Sequence, residues 1–130
     1  MRQLFVFLAV FLVGCAPTLL EQHVRAADAL RTTNESAVEA IRRACPPEIA
    51  SDGCEVVRND QHAFADAHAA WVQAMQGDRQ DDQWNSPTDR AALTAVAASY
   101  TKLADDAQHY LGVTLDPPPE SFRALASGAP

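Results

Sequence analysis

The sequence has few basic residues, with ten lysines and arginines against seventeen acids in 130 residues. The formal net charge of −7 excludes a general nucleic-acid binder, because affinity for phosphates depends on Lys and Arg. A disordered chain is also excluded, since 48% of the residues are hydrophobic. At this length we expect one globular domain with no nucleic-acid partner.

No hydrophobic run is long enough to cross a membrane. The most apolar stretch, residues 4–13, contains ten uncharged residues and would span about 15 Å as a helix, half of the hydrocarbon core of a bilayer. Arg2 precedes this stretch, and the small residue Gly14 follows it. A positive start, a short apolar region and a small residue predict a secretory signal.

The end of that signal is more specific. Leu12-Val13-Gly14-Cys15 resembles the lipobox of bacterial lipoproteins, and the resemblance covers only residues 1–15. It implies that residues 1–14 are removed by cleavage between Gly14 and Cys15, that Cys15 carries a diacylglyceryl group, and that the new amine is acylated. Residues 15–17 would then be a lipidated tether. The alternative is an ordinary cleaved signal with a chance cysteine.

The resemblance also implies a location. Ala16 stands where many lipoproteins of two-membrane bacteria carry the aspartate that retains them at the inner membrane. In a two-membrane host, the absence of that aspartate implies sorting to the outer membrane, facing the periplasm. Losing residues 1–14 removes one basic residue and no acid, so the mature charge becomes −8. Lipid rather than electrostatic attraction should hold the protein at a bilayer.

The three cysteines fit an exported protein. With Cys15 taking lipid, Cys45 and Cys54 remain, and an oxidising compartment favours a disulfide between them. The bridge would close a ten-residue loop and contribute about 2.7 kcal/mol in the chain-entropy model. The turn-rich sequence between the cysteines predicts a clamp at a corner between two helices.

The alternation typical of strands is absent, and apolar residues recur at three- and four-residue steps. This spacing predicts an all-α fold, a small three-helix up-down-up bundle with one disulfide and a short C-terminal helical turn at about Glu120 to Ala126. The helical domain would span residues 18–126, with residues 127–130 as a tail. The core should be thin, with six large anchors: Phe64, Trp71, Met75, Tyr100, Leu103 and Tyr110.

The first helix is predicted from about Thr18 to Ala44. A polar interruption at residues 32–35 has capping-box spacing and leaves open one kinked helix or two short ones. The apolar positions of this segment predict the following buried stripe: Leu20, Val24, Ala27, Leu30, Val38, Ile41 and Cys45.

The other two long helices are bounded by capping signals. Asp52 is the predicted N-cap of the second helix, and Gly77 its C-terminal cap. Ser86 caps the third helix, Pro87 takes its first position, and Gly112 ends it.

Two polar residues have distinct positions on these helices. Asp89 lies three residues after the cap, where a carboxylate favours the positive end of the helix dipole. His68 lies on the apolar stripe beside Phe64 and Trp71, which predicts a buried, hydrogen-bonded histidine.

Four side chains are weak candidates for metal ligands. His62 and Asp66 are four residues apart on one helix, as are Asp105 and His109 on another. Two such pairs on facing helices are able to supply four ligands, but ordinary surface pairs have the same spacing. The more direct interpretation is that no metal is bound.

Catalytic motifs are scarce. The sequence lacks a Gly-x-Ser-x-Gly elbow, a phosphate-binding glycine loop and a Cys-x-x-Cys pair. Trp84 lies in a polar loop, where it serves either as a lid over the bundle end or as a contact for a partner. We expect no catalytic residues and no cofactor.

The leading hypothesis is a membrane-tethered periplasmic lipoprotein that acts as a non-enzymatic binding or envelope-organising module. Its partners would be the lipid bilayer, through Cys15, and a protein that the sequence does not identify. One alternative is metal handling through the four His and Asp side chains above. Another is a phage- or plasmid-borne lipoprotein that blocks entry of competitors.

Overall fold

The computed structural model describes residues 18–128, and within this range all regular secondary structure is helical. The residues of the signal and tether, Gly14 and Cys15 among them, lie outside this range. No helix within it is long and apolar enough to span a bilayer. Three long helices and one short helix confirm the predicted all-α class: α1 Leu19–Ala44, α2 Asp52–Gln80, α3 Pro87–Leu111 and α4 Glu120–Ala126.

Helix α1 is continuous through the polar interruption. The Thr33 hydroxyl donates to the Ala29 carbonyl at 3.2 Å, which satisfies the hydroxyl within the helix. The Asn34 side-chain oxygen accepts from Gln61 of α2 at 3.2 Å. Because both polar groups find partners without a break in the backbone, one helix forms instead of two.

The predicted stripe of α1 is wrong in phase at its N-terminal end. Val24 is 53% exposed and Leu20 is only partly buried. The helix is rotated by about one residue because the His23 ring finds a buried partner on α3. The residues of α1 that are buried are His23, Ala26, Leu30, Ala37 and Ile41.

Both predicted boundaries of α2 are displaced. The N-cap is Ser51 instead of Asp52, because the Ser51 hydroxyl accepts from the Cys54 N–H at 3.2 Å. Gly77 does not end the helix, which continues to Gln80. The additional turn places Asp78 where its carboxylate accepts from a backbone N–H at the start of α3. For α3, the predicted Ser86 cap and the left-handed Gly112 at its end are confirmed.

Helices α2 and α3 form the most extensive helix pair and run antiparallel. Phe64 packs edge-on against Tyr100, whereas Trp71, further along α2, bonds to Asp89 near the start of α3. Of the predicted anchors, only Tyr110 is outside the core, at 48% exposed. It covers Gly53, where a Cβ would lie 3.1 Å from the Tyr110 Cβ.

Helix α4 closes the open side of the bundle. The Tyr100 hydroxyl donates to the Asp116 carbonyl, which fixes the proline-rich segment that leads to α4. Phe122 is 1% exposed, and its ring centroid lies 5.8 Å from that of Trp71. The predicted final helical turn is therefore confirmed, and it completes the burial of the central tryptophan.

The antiparallel arrangement gives the bundle two poles. The N-terminal pole holds the start of α1, the end of α2 and the start of α3. The disulfide pole holds the other end of each long helix, together with the bridge between Cys45 and Cys54.

Candidate functional site

A cluster of polar side chains joins the three long helices near the N-terminal pole. This buried acid cluster consists of His23, Trp71, Asp78 and Asp89. His23 is 1% exposed and Asp89 is fully buried. The Trp71 indole N–H donates to Asp89 Oδ1 at 2.8 Å, and Asp89 Oδ2 lies 3.3 Å from His23 Nε2. One carboxylate therefore links all three helices.

The His23 ring has a defined proton arrangement. Its Nδ1 lies 2.9 Å from the Leu19 carbonyl oxygen, which accepts but never donates, so Nδ1 carries a proton. Neither His23 Nε2 nor Asp89 Oδ2 has a regular hydrogen bond within residues 18–128, although the two atoms lie 3.3 Å apart. Without a proton between them, two acceptors would face each other in the core. A proton on either group would turn this contact into a hydrogen bond.

The two carboxylates of the cluster are shifted in opposite directions. Burial raises the pKa of Asp89 above its usual value, against the opposing effects of His23 and the Trp71 hydrogen bond. Burial would also raise the pKa of Asp78, but hydrogen bonds from Ser86 outweigh it and the pKa is lowered. The Ser86 backbone N–H donates to Asp78 Oδ2 at 3.1 Å. The pKa of the acid on α2 is thus lowered, and the pKa of the acid on α3 is raised.

This geometry suits a structural link better than catalysis. The side chains of His23 and Asp89 are almost wholly enclosed by the packed helices, although His23 borders a cavity of about 310 Å³. The Ser86 hydroxyl is occupied as an acceptor for the Asp89 N–H at 3.1 Å. What the cluster does is hold the start of α3 against α1 and α2.

A second ionic cluster bridges α2 and α3 nearer their centres. The Lys102 ammonium lies 2.7 Å from Asp60 Oδ1 and 2.6 Å from Asp106 Oδ2. Burial raises the pKa of Asp60, although Lys102 acts against it. Hydrogen bonds to the two carboxylates raise the pKa of Lys102, and the bond from Lys102 lowers that of Asp106. The Lys102 ammonium therefore forms ion pairs with both carboxylates.

An apolar groove of about 240 Å³ lies between α1 and α2 at the N-terminal pole. Trp84, from the loop before α3, forms one wall of it and is partly buried. The ring shields the groove, as a lid over the end of the bundle would. Part of the ring stays exposed, as a contact for a partner requires. Both predicted roles of Trp84 therefore fit this position. The groove is lined by Leu20, Val24, Ala27, Val72, Met75, Gln76, Arg79 and Trp84.

The disulfide pole has a rigid corner. Cys45 and Cys54 form the predicted disulfide, with Cα atoms 5.7 Å apart. The Arg58 guanidinium donates to the carbonyl oxygens of Cys45, Pro46 and Ile49 at 3.1, 3.2 and 3.4 Å. Ile49 itself is 49% exposed. Bridge and guanidinium together hold the connection between α1 and α2 in one shape.

The structure gives the metal alternative no support. His62, Asp66, Asp105 and His109 are all exposed. Residues 18–128 contain no group of three or more His, Cys, Asp or Glu side chains placed to hold a metal ion. His109 packs instead against Tyr110, with ring centroids 4.6 Å apart. His68 is partly buried and hydrogen-bonded, with Nε2 3.1 Å from the Ala27 carbonyl oxygen.

Sequence reasoning missed His23 and Asp78. A signal for His23 was present, because it lies three, seven and fourteen residues before buried positions of α1. The same helical spacing predicts the burial of His68 on α2. Asp78 has no comparable local signal, since its role depends on a contact with the start of the next helix.

Comparison with known proteins adds no relative: no family model, no curated protein and no solved structure matches this chain.

Proposed function

We propose that this chain is a lipid-anchored bacterial envelope protein whose helical domain is a non-enzymatic binding or envelope-organising module. The observation that carries the proposal is Leu12-Val13-Gly14-Cys15 at the end of a short apolar stretch. Two or three acyl chains on Cys15 would hold the protein far more firmly than one. Ala16 supports an outer-membrane location that faces the periplasm.

The distribution of exposed apolar side chains supports a binding role. The large ones within residues 18–128 divide between the poles, with Leu19 and Val24 at the N-terminal pole and Ile49 and Tyr110 at the disulfide pole. Helix α1 has 26 residues and is about 39 Å long. A chain attached near the start of α1 would hold the disulfide pole at up to that distance from its attachment.

We assign the protein partner to the disulfide pole. Aromatic and arginine side chains are enriched in protein interfaces, and Tyr110 and Arg42 supply both types here. A cavity of about 360 Å³ lies beside the bridge, between α1 and α2. Because the corner is already rigid, a partner loses less affinity to ordering it.

The anchor is tested with Cys15→Ser and a matched control, Ala16→Ser, which puts the same hydroxyl one residue further on. Cells expressing each form are given labelled palmitate, and the intact mass of the product is measured. We expect the control to be labelled and cleaved before Cys15, and Cys15→Ser to be neither. Equal labelling of both variants, or an unmodified Cys15 in the native protein, contradicts the anchor.

The partner surface is tested with a photo-crosslinking residue introduced in living cells. One variant carries it at Ile49, and a control carries it at Ala98, an exposed position on α3. We expect one discrete protein adduct at position 49 that is absent at position 98. Identical adduct patterns at both positions contradict a specific surface at the disulfide pole.

A further inference from the structure

The N-terminal pole presents apolar surface at the place where a lipid tether would arrive. Leu19 is 40% exposed and Val24 is 53% exposed, and both lie within the first two turns of α1. Three residues separate Cys15 from Leu19, so even a fully extended connection spans only about 14 Å. Any bilayer that holds acyl chains on Cys15 therefore lies within reach of this pole.

Trp84 has the character of an interfacial tryptophan. Its ring is partly buried in the groove wall beside Val24, while its indole N–H has no hydrogen-bond partner within residues 18–128. Trp71 contrasts with it, because that ring is fully buried and its N–H is bonded to Asp89. An amphipathic ring with an apolar body and a free N–H suits the boundary between headgroups and acyl chains.

The exposed charges at this pole that lack an ion pair are equal in number for the two signs. Arg25, Arg79 and Arg90 are exposed there and have no ion-pair partner within residues 18–128. The exposed acids at the same pole that likewise lack an ion pair are also three: Glu21, Asp81 and Asp82. Because the mature chain would carry −8 in all, repulsion from anionic headgroups is weakest at this face.

We propose that the N-terminal pole rests on the bilayer interface, with Val24 and Trp84 placed at the boundary between headgroups and acyl chains. This contact rests on the proposed lipid anchor and adds a second point of attachment to it. Arg79, on the rim of the groove, is positioned to extend its charged end toward lipid phosphates. The contact sets the orientation of the domain, so that the disulfide pole faces away from the membrane.

The test uses tryptophan emission of the lipoprotein purified from membranes and reconstituted into phosphatidylcholine vesicles. The acyl chains carry bromine, a contact quencher, either near the headgroup or near the chain end. We expect stronger loss of Trp84 emission with bromine near the headgroup. Trp84→Phe should abolish the quenchable emission and leave that of Trp71.

A matched control places a tryptophan at the opposite pole. In the Trp84→Phe background, Ile49→Trp should show emission that bromine at either depth leaves unchanged. Val24→Ser removes an apolar side chain that is 53% exposed on the groove, and it should weaken the quenching of Trp84. The proposal is overturned if brominated lipid does not reduce the emission of Trp84. It is also overturned if the tryptophan at position 49 is quenched equally. A groove covered by a protein segment would give the first of these results.

Two different measurements distinguish failure of the lipid anchor from failure of the bilayer contact. The intact mass of the same sample reports whether Cys15 is acylated. If its thiol is free, the anchor is refuted, and the thiol can be coupled to a maleimide lipid because Cys45 and Cys54 are joined. Quenching of Trp84 in that coupled sample then supports or overturns the bilayer contact by itself.

Discussion

Replacing Asp89 tests whether the buried acid cluster holds the three long helices together. Asp89→Ala removes the acceptor of the Trp71 N–H and the group that faces His23 Nε2. Asp89→Asn is the matched variant, because its amide keeps the size, accepts from Trp71 and donates to Nε2. The two variants separate the need for hydrogen bonding from the need for a titratable acid.

The size of the effect follows from the groups left without partners. Asp89→Ala leaves the Trp71 N–H and His23 Nε2 buried without a hydrogen-bond partner. Each unsatisfied group should lower the free energy of unfolding by about 1–3 kcal/mol. We expect a loss of about 2–4 kcal/mol in the free energy of unfolding, a large part of the usual 5–15 kcal/mol. For Asp89→Asn we expect a loss of about 1 kcal/mol or less, since both contacts survive.

Urea unfolding at neutral pH, followed by far-ultraviolet circular dichroism, measures both values. The m-value should stay unchanged, which shows that the comparison concerns stability alone. A loss below about 1 kcal/mol for Asp89→Ala refutes the reasoning, because two orphaned buried groups would then have little effect. Equal losses for both variants would instead mean that the ionised pair is required.

The same comparison has a pH dependence of defined sign. The pKa of Asp89 is raised, so its contribution is fully present below 3.8 and is lost as pH rises through the folded value. The unfolding free energy of the wild type relative to Asp89→Asn should therefore fall as pH increases from about 4. The pKa of Asp78 is lowered, so the comparison with Asp78→Asn should show the opposite slope at acid pH.

Three further changes have expected outcomes that the same unfolding measurement checks. Opening the Cys45–Cys54 disulfide by double substitution to serine should remove about 2.7 kcal/mol, and an unchanged midpoint would contradict the clamp. Tyr100→Phe deletes one hydrogen bond to the proline-rich segment and should cost about 1 kcal/mol, with faster protease cleavage there. Lys102→Met leaves Asp60 without its cation and should destabilise more than the exposed control Arg43→Met, which we expect to change stability by under about 0.5 kcal/mol.

The long helices were predictable because their signals are local. Ser86 followed by proline, and Gly112 after the last apolar turn, each act within a few residues. Phe64, Trp71 and Met75 repeat at helical spacing, and all three are buried. Signals of this kind are read from one segment without knowing what packs against it.

The phase of α1 was not predictable in the same way. Its apolar and alanine residues cover two adjacent faces, one through Val24 and Ala27 and another through Ala26 and Leu30. A spacing of 3.6 residues does not choose between them. The choice is made by Asp89, which follows His23 by 66 positions and provides its buried partner.

The role of Asp89 shows the same limit. Its position three residues after Ser86 predicts only a favourable site near the helix dipole. Complete burial of a carboxylate there depends on His23 of α1 and Trp71 of α2 packing against it. The buried acid cluster is therefore a product of tertiary packing that no single segment encodes.

The edge-on contact between Phe122 and Trp71 has a consequence for the timing of folding. Until α4 packs, one side of the central tryptophan lacks its cover. A chain that ends before residue 122 would therefore have an incomplete core. The interior can be completed only after the last helix has docked.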